Sequence, residues 1–216
     1  MIRILVVDDH TLVRQAVSAM LDMQDDMQVV GDASTGREAV ELCVSRQPQV
    51  VVMDVTMPDM NGVEATERIL ASRPGTRIVG LTMHADPTTV ARMLKAGAAG
   101  YLLKNSSFLD LQTAVREAAA GRCYLSPAVA GTLVERFVRS PAPSPEAAAP
   151  RLTTREREVL QLLAEGLTSK EIAERLSLSV RTVENHRRQI MERLGLRSVA
   201  ALTKYAVKTG ITSLDF

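Results

Sequence analysis

Tryptophan is missing from this 216-residue chain, and aromatic residues make up only 3% of it. The 46% of residues that are hydrophobic are therefore largely aliphatic. Cysteine is almost missing too. Cys43 and Cys123 stand far apart in sequence, too few for a cysteine metal site or a disulfide framework, and read as two buried, reduced thiols. No apolar run approaches the roughly 20 residues of a membrane-spanning helix, so no membrane association is expected. The opening MIRILVVDD lacks the basic, apolar and small-residue succession of a secretory signal. These absences lead to the expectation of a cytoplasmic protein with ordinary packed cores, long enough for one large domain or two small ones.

The net charge is +1, unevenly spread. Residues 1–125 hold 12 Lys+Arg against 15 Asp+Glu, whereas residues 151–216 hold 12 against 8. An acidic first part and a basic last part suggest two tasks, the second on nucleic acid. Between them lies SPAPSPEAAAP, residues 140–150, whose Ser, Pro and Ala cannot build a core and read as a flexible linker.

Ahead of the linker, short apolar runs alternate with helical patterns. Ile4–Val7, Val29–Gly31, Val50–Met53, Ile78–Leu81 and Gly100–Leu103 read as five strands. The alternation predicts an open parallel sheet covered by helices on both faces. Val129, Leu133, Phe137 and Val138 then outline one more amphipathic helix, which reads as part of a connecting segment over 126–150. After the linker the pattern is all helical. Thr153 with Glu156 and Thr168 with Glu171 form capping boxes, Gly166 closes the first helix, and Ser179 and Ser198 cap two more. This predicts a small four-helix domain over 151–216.

In such a sheet, ligands sit outside the carboxyl ends of the strands. Strand one ends in Asp8 and Asp9, strand three in Asp54 and strand four in Thr82, while Lys104 follows strand five. A run such as Val50–Met53 is buried on both faces, so a strand end is the one place where Asp54 escapes the core. Three carboxylates at close range repel unless a cation sits among them, and oxygen ligands of this kind suit Mg²⁺ sharing its sphere with phosphate. A carboxylate can itself accept a phosphoryl group, whose oxygens are best met by Mg²⁺, a lysine and a hydroxyl.

The stretches VVDDH, VVMDVTMPDMNG, GLTMHA and GAAGYLLK, in this order and spacing, resemble the receiver domain of two-component response regulators over residues 1 to about 125. The resemblance implies a flavodoxin-like sheet of strand order 2-1-3-4-5, with Asp54 as acceptor of a phosphoryl group from a sensor histidine kinase. It implies Asp9 as a direct Mg²⁺ ligand, Asp8 acting through water, and Asp54 and the Thr56 carbonyl completing the metal site. Thr82 would follow the phosphoryl group, Lys104 would pair with it, and Tyr101 would be the aromatic switch. His84, two residues after Thr82, is read either as an influence on phosphoryl lifetime or as a solvated surface residue.

The later stretch LTTREREVLQLLAEGLTSKEIAERLSLSVRTVENHRRQIMERLG contains a helix-turn-helix pattern. Glu171, Ile172, Ala173 and Leu176 form the inner face of its first helix, and Val180, Val183, Ile190 and Leu194 bury its second. The outer face then carries Arg181, Glu184, Asn185, Arg187 and Arg188, donors and acceptors suited to base edges in a major groove. The stretch resembles the LuxR-type DNA-binding domain of the NarL/FixJ subfamily over 151–214. That implies base reading by Glu184, Asn185 and Arg188, and phosphate contacts from Ser169, Lys170, Arg181, Thr182 and Arg187. His186 is read as partly structural. Val199, Leu202 and Ala206 on the last helix are the candidate contacts of a homodimer, with duplex DNA as the partner and RNA polymerase a further candidate. Glu184 stands where some members of the subfamily carry Lys, so no site preference can be copied from them.

Two other readings compete. An aspartyl-phosphate phosphatase of the haloacid-dehalogenase type needs a second Asp two residues after the nucleophile, where this chain has Thr56. A regulator that binds DNA without phosphorylation would carry its acidic pocket as a vestige. The expected protein is thus a phospho-acceptor and transcription factor rather than an enzyme acting on other molecules.

Overall fold

The computed structural model describes residues 1–83, 86–139 and 152–212, for 135–139 the backbone alone. The chain divides into two compact units, residues 1–139 and 140–216.

The first unit alternates strand and helix: β1 (Ile2–Val7), α1 (Thr11–Asp22), β2 (Met27–Ala33), α2 (Gly36–Arg46), β3 (Val50–Asp54), α3 (Gly62–Ser72), β4 (Arg77–Thr82), α4 (Pro87–Lys95), β5 (Gly100–Leu103), α5 (Phe108–Ala119), β6 (Tyr124–Leu125) and α6 (Pro127–Arg139). All strands pair in parallel, in the order β2-β1-β3-β4-β5-β6. The expected five strands and their order are present, and β6 extends the edge by a sixth. It is only two residues long, too short to leave an alternation in the sequence, and is held by Tyr101 opposite Leu125.

Side chains alternate across the sheet and both faces are covered. Leu5, Val7, Val51, Met53, Ile78 and Tyr101 face one core, shared with α2, α3, α4 and α6. Ile4, Val6, Val50, Val52, Val79, Leu81 and Leu102 face the other, shared with α1 and α5. Val129 and Leu133 of α6 lie in the first of these cores. This helix, expected in the connecting segment, thus packs on the sheet domain, and the compact unit runs on to Arg139.

Helix starts follow side-chain capping. Thr35, Asn61, Asp86 and Ser107 each accept the N–H of the residue three positions on. Gly62 is required by space: a Cβ there would lie 2.1 Å from the Asp54 carbonyl oxygen. Its N–H donates to the Val55 carbonyl at 2.9 Å, which folds the 55–61 loop back over the end of β3.

The second unit holds α7 (Thr154–Ala164), α8 (Ser169–Leu176), α9 (Val180–Leu194) and α10 (Val199–Lys208). Both expected capping boxes are present, Ser179 and Ser198 cap α9 and α10, and Gly166 and Gly195 adopt positive φ at helix ends. Val159, Leu160, Ile172, Ala173, Leu176, Val183, Ile190, Leu202 and Ala206 make the core. Three expectations are corrected here. Glu171 is exposed at the start of α8, where it serves the capping box rather than the inner face. Val180, the first residue of α9, is 41% exposed, not buried. Leu202 and Ala206 are fully buried inside this unit, so neither can reach a second copy; of the three residues expected at a dimer contact only Val199, 44% exposed, faces outward. Apolar residues occur on more than one face of α10, and sequence spacing alone does not separate inner from outer.

Candidate functional site

The parallel register brings the strand ends level. Val7 pairs with Met53, Asp54 with Leu81, and Thr82 with Leu103. Asp8, Asp54, Thr82 and Lys104 therefore meet at one rim, and the Asp8, Asp54 and Thr82 residues are buried there. Lys104 Nζ lies 2.7 Å from Asp54 Oδ2 and 2.7 Å from Asp8 Oδ2, with all three side chains below one-tenth exposed. The other Asp54 oxygen accepts the Thr56 N–H at 3.1 Å. Burial pushes the Asp54 carboxyl up to about 6; Lys104 pulls against that shift and Asp8 adds to it. For Lys104, burial works against the ammonium, but its pairing with Asp54 and Asp8 outweighs burial and leaves its pKa above the ordinary value.

Two residues that sequence reasoning did not assign to the site also belong to it. His10 Nδ1 stands 2.8 Å from Asp9 Oδ1 and 3.2 Å from Asp8 Oδ1, and the His10 N–H donates to Asp8 at 2.9 Å. Arg14, on the first turn of α1, donates to the Asp8 carbonyl and to Asp32, each at 2.7 Å. The signal for both was their place in DDHTLVR, at and just inside the start of the helix that follows the two acids.

Ligand atoms of Asp8, Asp9, His10 and Asp54 lie within 4.8 Å of one another. Asp8 Oδ2 and Asp9 Oδ1 are buried and accept no well-aligned hydrogen bond, although Lys104 Nζ stands near the first and His10 Nδ1 near the second. Oxygens so placed fit a hard divalent cation.

Behind the rim, Tyr101 is wholly buried, packed with Val90, Met93 and Val129. Gly80 makes room for it: a Cβ there would meet the phenol ring at 3.1 Å. Burial pushes the phenol well above its usual pKa while the Thr82 hydroxyl pulls the other way, and the phenol oxygen completes no hydrogen bond. His84 lies outside the described residues.

In the second unit, Arg181, Glu184, Asn185 and Arg188 are exposed on α9, with Thr182, His186 and Arg187 half-buried beside them. Lys170 is exposed and Ser169 half-buried at the start of α8. A groove of about 840 Å³ runs along the outer face of α9, lined among others by Glu184, Asn185, Arg188 and Met191 and by Arg197 from the following loop. His186 is half-buried, with its Nδ1 buried and without a hydrogen-bond partner.

Comparison with known proteins matches both units to known domain families. Residues 4–116 match the response regulator receiver domain, and residues 150–206 match the bacterial regulatory proteins of the luxR family. The oxygen regulatory protein NreC of Staphylococcus carnosus is 41% identical over 99% of this chain and 100% of its own length. The transcriptional regulatory protein LiaR of Bacillus subtilis is 39% identical, over 95% of this chain and 97% of its own. Among solved structures, RcsB of Salmonella enterica serovar Typhimurium, bound to promoter rprA in the presence of phosphomimetic BeF3⁻, is 25% identical with a TM-score of 0.58, over 95% of this chain and 98% of that one. The chain belongs to the response regulators of the NarL/FixJ type, a receiver domain followed by a LuxR-type DNA-binding domain. It is a phosphorylatable transcription regulator of that family.

Proposed function

We propose that Asp54 is the phosphoryl acceptor and that its phosphorylation controls DNA binding by α9. The observation that carries this reading is the placement of Lys104, whose ammonium bridges the buried carboxylates of Asp54 and Asp8. One cation on two acids keeps Asp54 usable as a nucleophile inside a dry pocket and stands ready to meet phosphoryl oxygens.

An Asp54 oxygen forms the new O–P bond while the P–N bond of a kinase phosphohistidine breaks. The imidazole leaves with the electron pair and takes up a proton from solvent. Asp8, Asp9 and Asp54, with the Thr56 carbonyl, would hold Mg²⁺, which when bound supplies positive charge against the phosphoryl oxygens. Lys104 then exchanges its carboxylate partner for a phosphoryl oxygen, and the Thr82 hydroxyl donates to another. Tyr101 packs behind Thr82 against α4 and α6, so movement at Thr82 is felt where those helices meet the sheet. The chain catalyses at most its own phosphorylation and dephosphorylation, in the cytoplasm, with a sensor histidine kinase as donor.

On DNA, α9 enters the major groove. Glu184, Asn185 and Arg188 face bases, and Ser169, Lys170, Arg181, Thr182 and Arg187 face phosphates. Two copies pair through the outward side of α10, which includes Val199, Ala200 and Lys204, on half-sites about one helical turn apart.

The test is a comparison of wild type with Asp54→Asn on a genomic duplex library, each with and without acetyl phosphate and Mg²⁺. Phosphorylation is expected to raise specific binding of the wild type alone. Equal binding in all four samples would support instead a regulator that works without phosphorylation.

A further inference from the structure

Several charged side chains of the second unit are engaged within it, whereas three polar ones on the exposed face of α9 are not. Arg155 donates to Glu158 at 2.5 Å and to the Leu176 carbonyl at 2.6 Å, and Arg193 donates to Glu156 at 3.0 Å. Arg157 and Arg175 also have partners. Among the described residues, the side chains of Glu184, Asn185 and Arg188 take no such partner, and all three line one groove. A carboxylate on that face is out of place for general DNA affinity, because the phosphates repel it. It needs a donor at the bottom of the groove.

We propose that Glu184 and Arg188 read a cytosine and a guanine respectively, and so set the sequence preference of this regulator. The inference rests on the DNA-binding reading above. It follows from matching donors with acceptors. A carboxylate has acceptors only. Guanine offers the major groove two acceptors, and thymine one acceptor and a methyl group, so both repel Glu184 or leave it unpaired. Adenine offers its N6 donor beside the N7 acceptor, a mixed edge that suits the Asn185 amide. Cytosine offers the N4 amino donor, which suits Glu184. The Arg188 fork has donors only and matches the two acceptors of guanine. Glu184 therefore selects against guanine as well as for cytosine.

The spacing fixes the register. Residues 184 and 188 are one turn apart on the same face, separated by about 6 Å along the axis. Base pairs rise about 3.4 Å, so the two contacts fall one or two base pairs apart when α9 follows the groove. The competing role for Glu184 is an i,i+4 pair with Arg188 that only supports the helix. Such a pair changes affinity for all sequences alike and has no base preference.

The experiment is selection from a randomised duplex library by the full-length chain treated with acetyl phosphate and Mg²⁺, for wild type, Glu184→Ala, Glu184→Lys and Arg188→Ala. The wild-type site is expected to hold a cytosine one or two base pairs from a guanine in each half. Glu184→Ala should flatten the cytosine column alone, cutting discrimination at that position roughly tenfold, with affinity for random DNA unchanged or raised. Glu184→Lys should convert that column to guanine, and Arg188→Ala should flatten the guanine column. A Glu184→Ala site identical to that of the wild type, or a uniform change over all sequences, overturns the base assignment but leaves DNA binding intact. A wild-type protein that enriches no sequence overturns both.

Discussion

Lys104 stands 2.7 Å from Asp54 and shares its single ammonium with Asp8. One positive charge between two buried carboxylates leaves Asp54 short of compensation, and its pKa rises from 3.8 to about 6. The shift corresponds to roughly 3 kcal/mol. A raised carboxyl pKa means that the group's contribution to stability is complete below the unfolded value and lost as pH rises through about 6. In metal-free protein with chelator present, Asp54→Asn should thus be more stable than wild type at pH 7.5 by about 1–3 kcal/mol. The gain should fade as the pH is lowered toward 4. Urea unfolding across this range checks it; a variant less stable at pH 7.5 would contradict the account.

Tyr101 supplies packing rather than a hydrogen bond. Its phenol oxygen is buried and completes no well-aligned hydrogen bond, although the Thr82 hydroxyl stands near it, so removing the phenol hydroxyl gives up little. Tyr101→Phe is expected to change unfolding free energy by less than about 1 kcal/mol, whereas Tyr101→Ala should cost roughly 3–5 kcal/mol through the cavity it leaves. A costly Tyr101→Phe would reveal a hydrogen bond at this oxygen.

Two glycines should respond in opposite directions. Gly62→Ala drives a methyl group into the Asp54 carbonyl and is expected to cost about 1–3 kcal/mol or more, and to slow phosphoryl uptake by displacing the end of β3. Gly131 lies in α6 with nothing within 4 Å of its would-be Cβ, so Gly131→Ala should stabilise by roughly 0.5–1 kcal/mol. Thermal unfolding of the pair measures both.

The two thiols should separate cleanly. Cys43 is fully buried, with burial pushing its thiol up to about 12, while Cys123, expected to be buried as well, is exposed. At pH 8 an aromatic disulfide reagent is expected to titrate one thiol quickly in native protein and two after denaturation. Protection of only Cys123, or rapid reaction of both, would contradict the packing of α2 on the sheet.

The acidic rim was legible because polar residues interrupt apolar runs at the carboxyl ends of β1, β3 and β4, and a parallel sheet sets all such ends on one edge; the strand order came only with the resemblance to receiver domains. The capping Thr and Ser residues marked the helices of the second unit for a similar reason, since each must satisfy free backbone N–H groups. What escaped had no local signature. β6 is two residues long, and α6 adjoins a Pro- and Ala-rich stretch that disguised its packing through Val129 and Leu133. The burial of Leu202 and Ala206 depends on where α7 lies, which spacing along α10 does not encode. Glu156, legible as a capping partner, also pairs with Arg193 of α9, and Glu158 is buried beside Arg155; neither burial shows in the sequence.

The central claim is that Asp54 accepts a phosphoryl group. Intact mass measurement after incubation with acetyl phosphate and Mg²⁺ tests it most directly. Wild type is expected to gain one phosphoryl mass, Lys104→Ala to gain it much more slowly, and Asp54→Asn to gain none. A wild-type mass that does not change, or a full gain that persists in Asp54→Asn, would contradict the account.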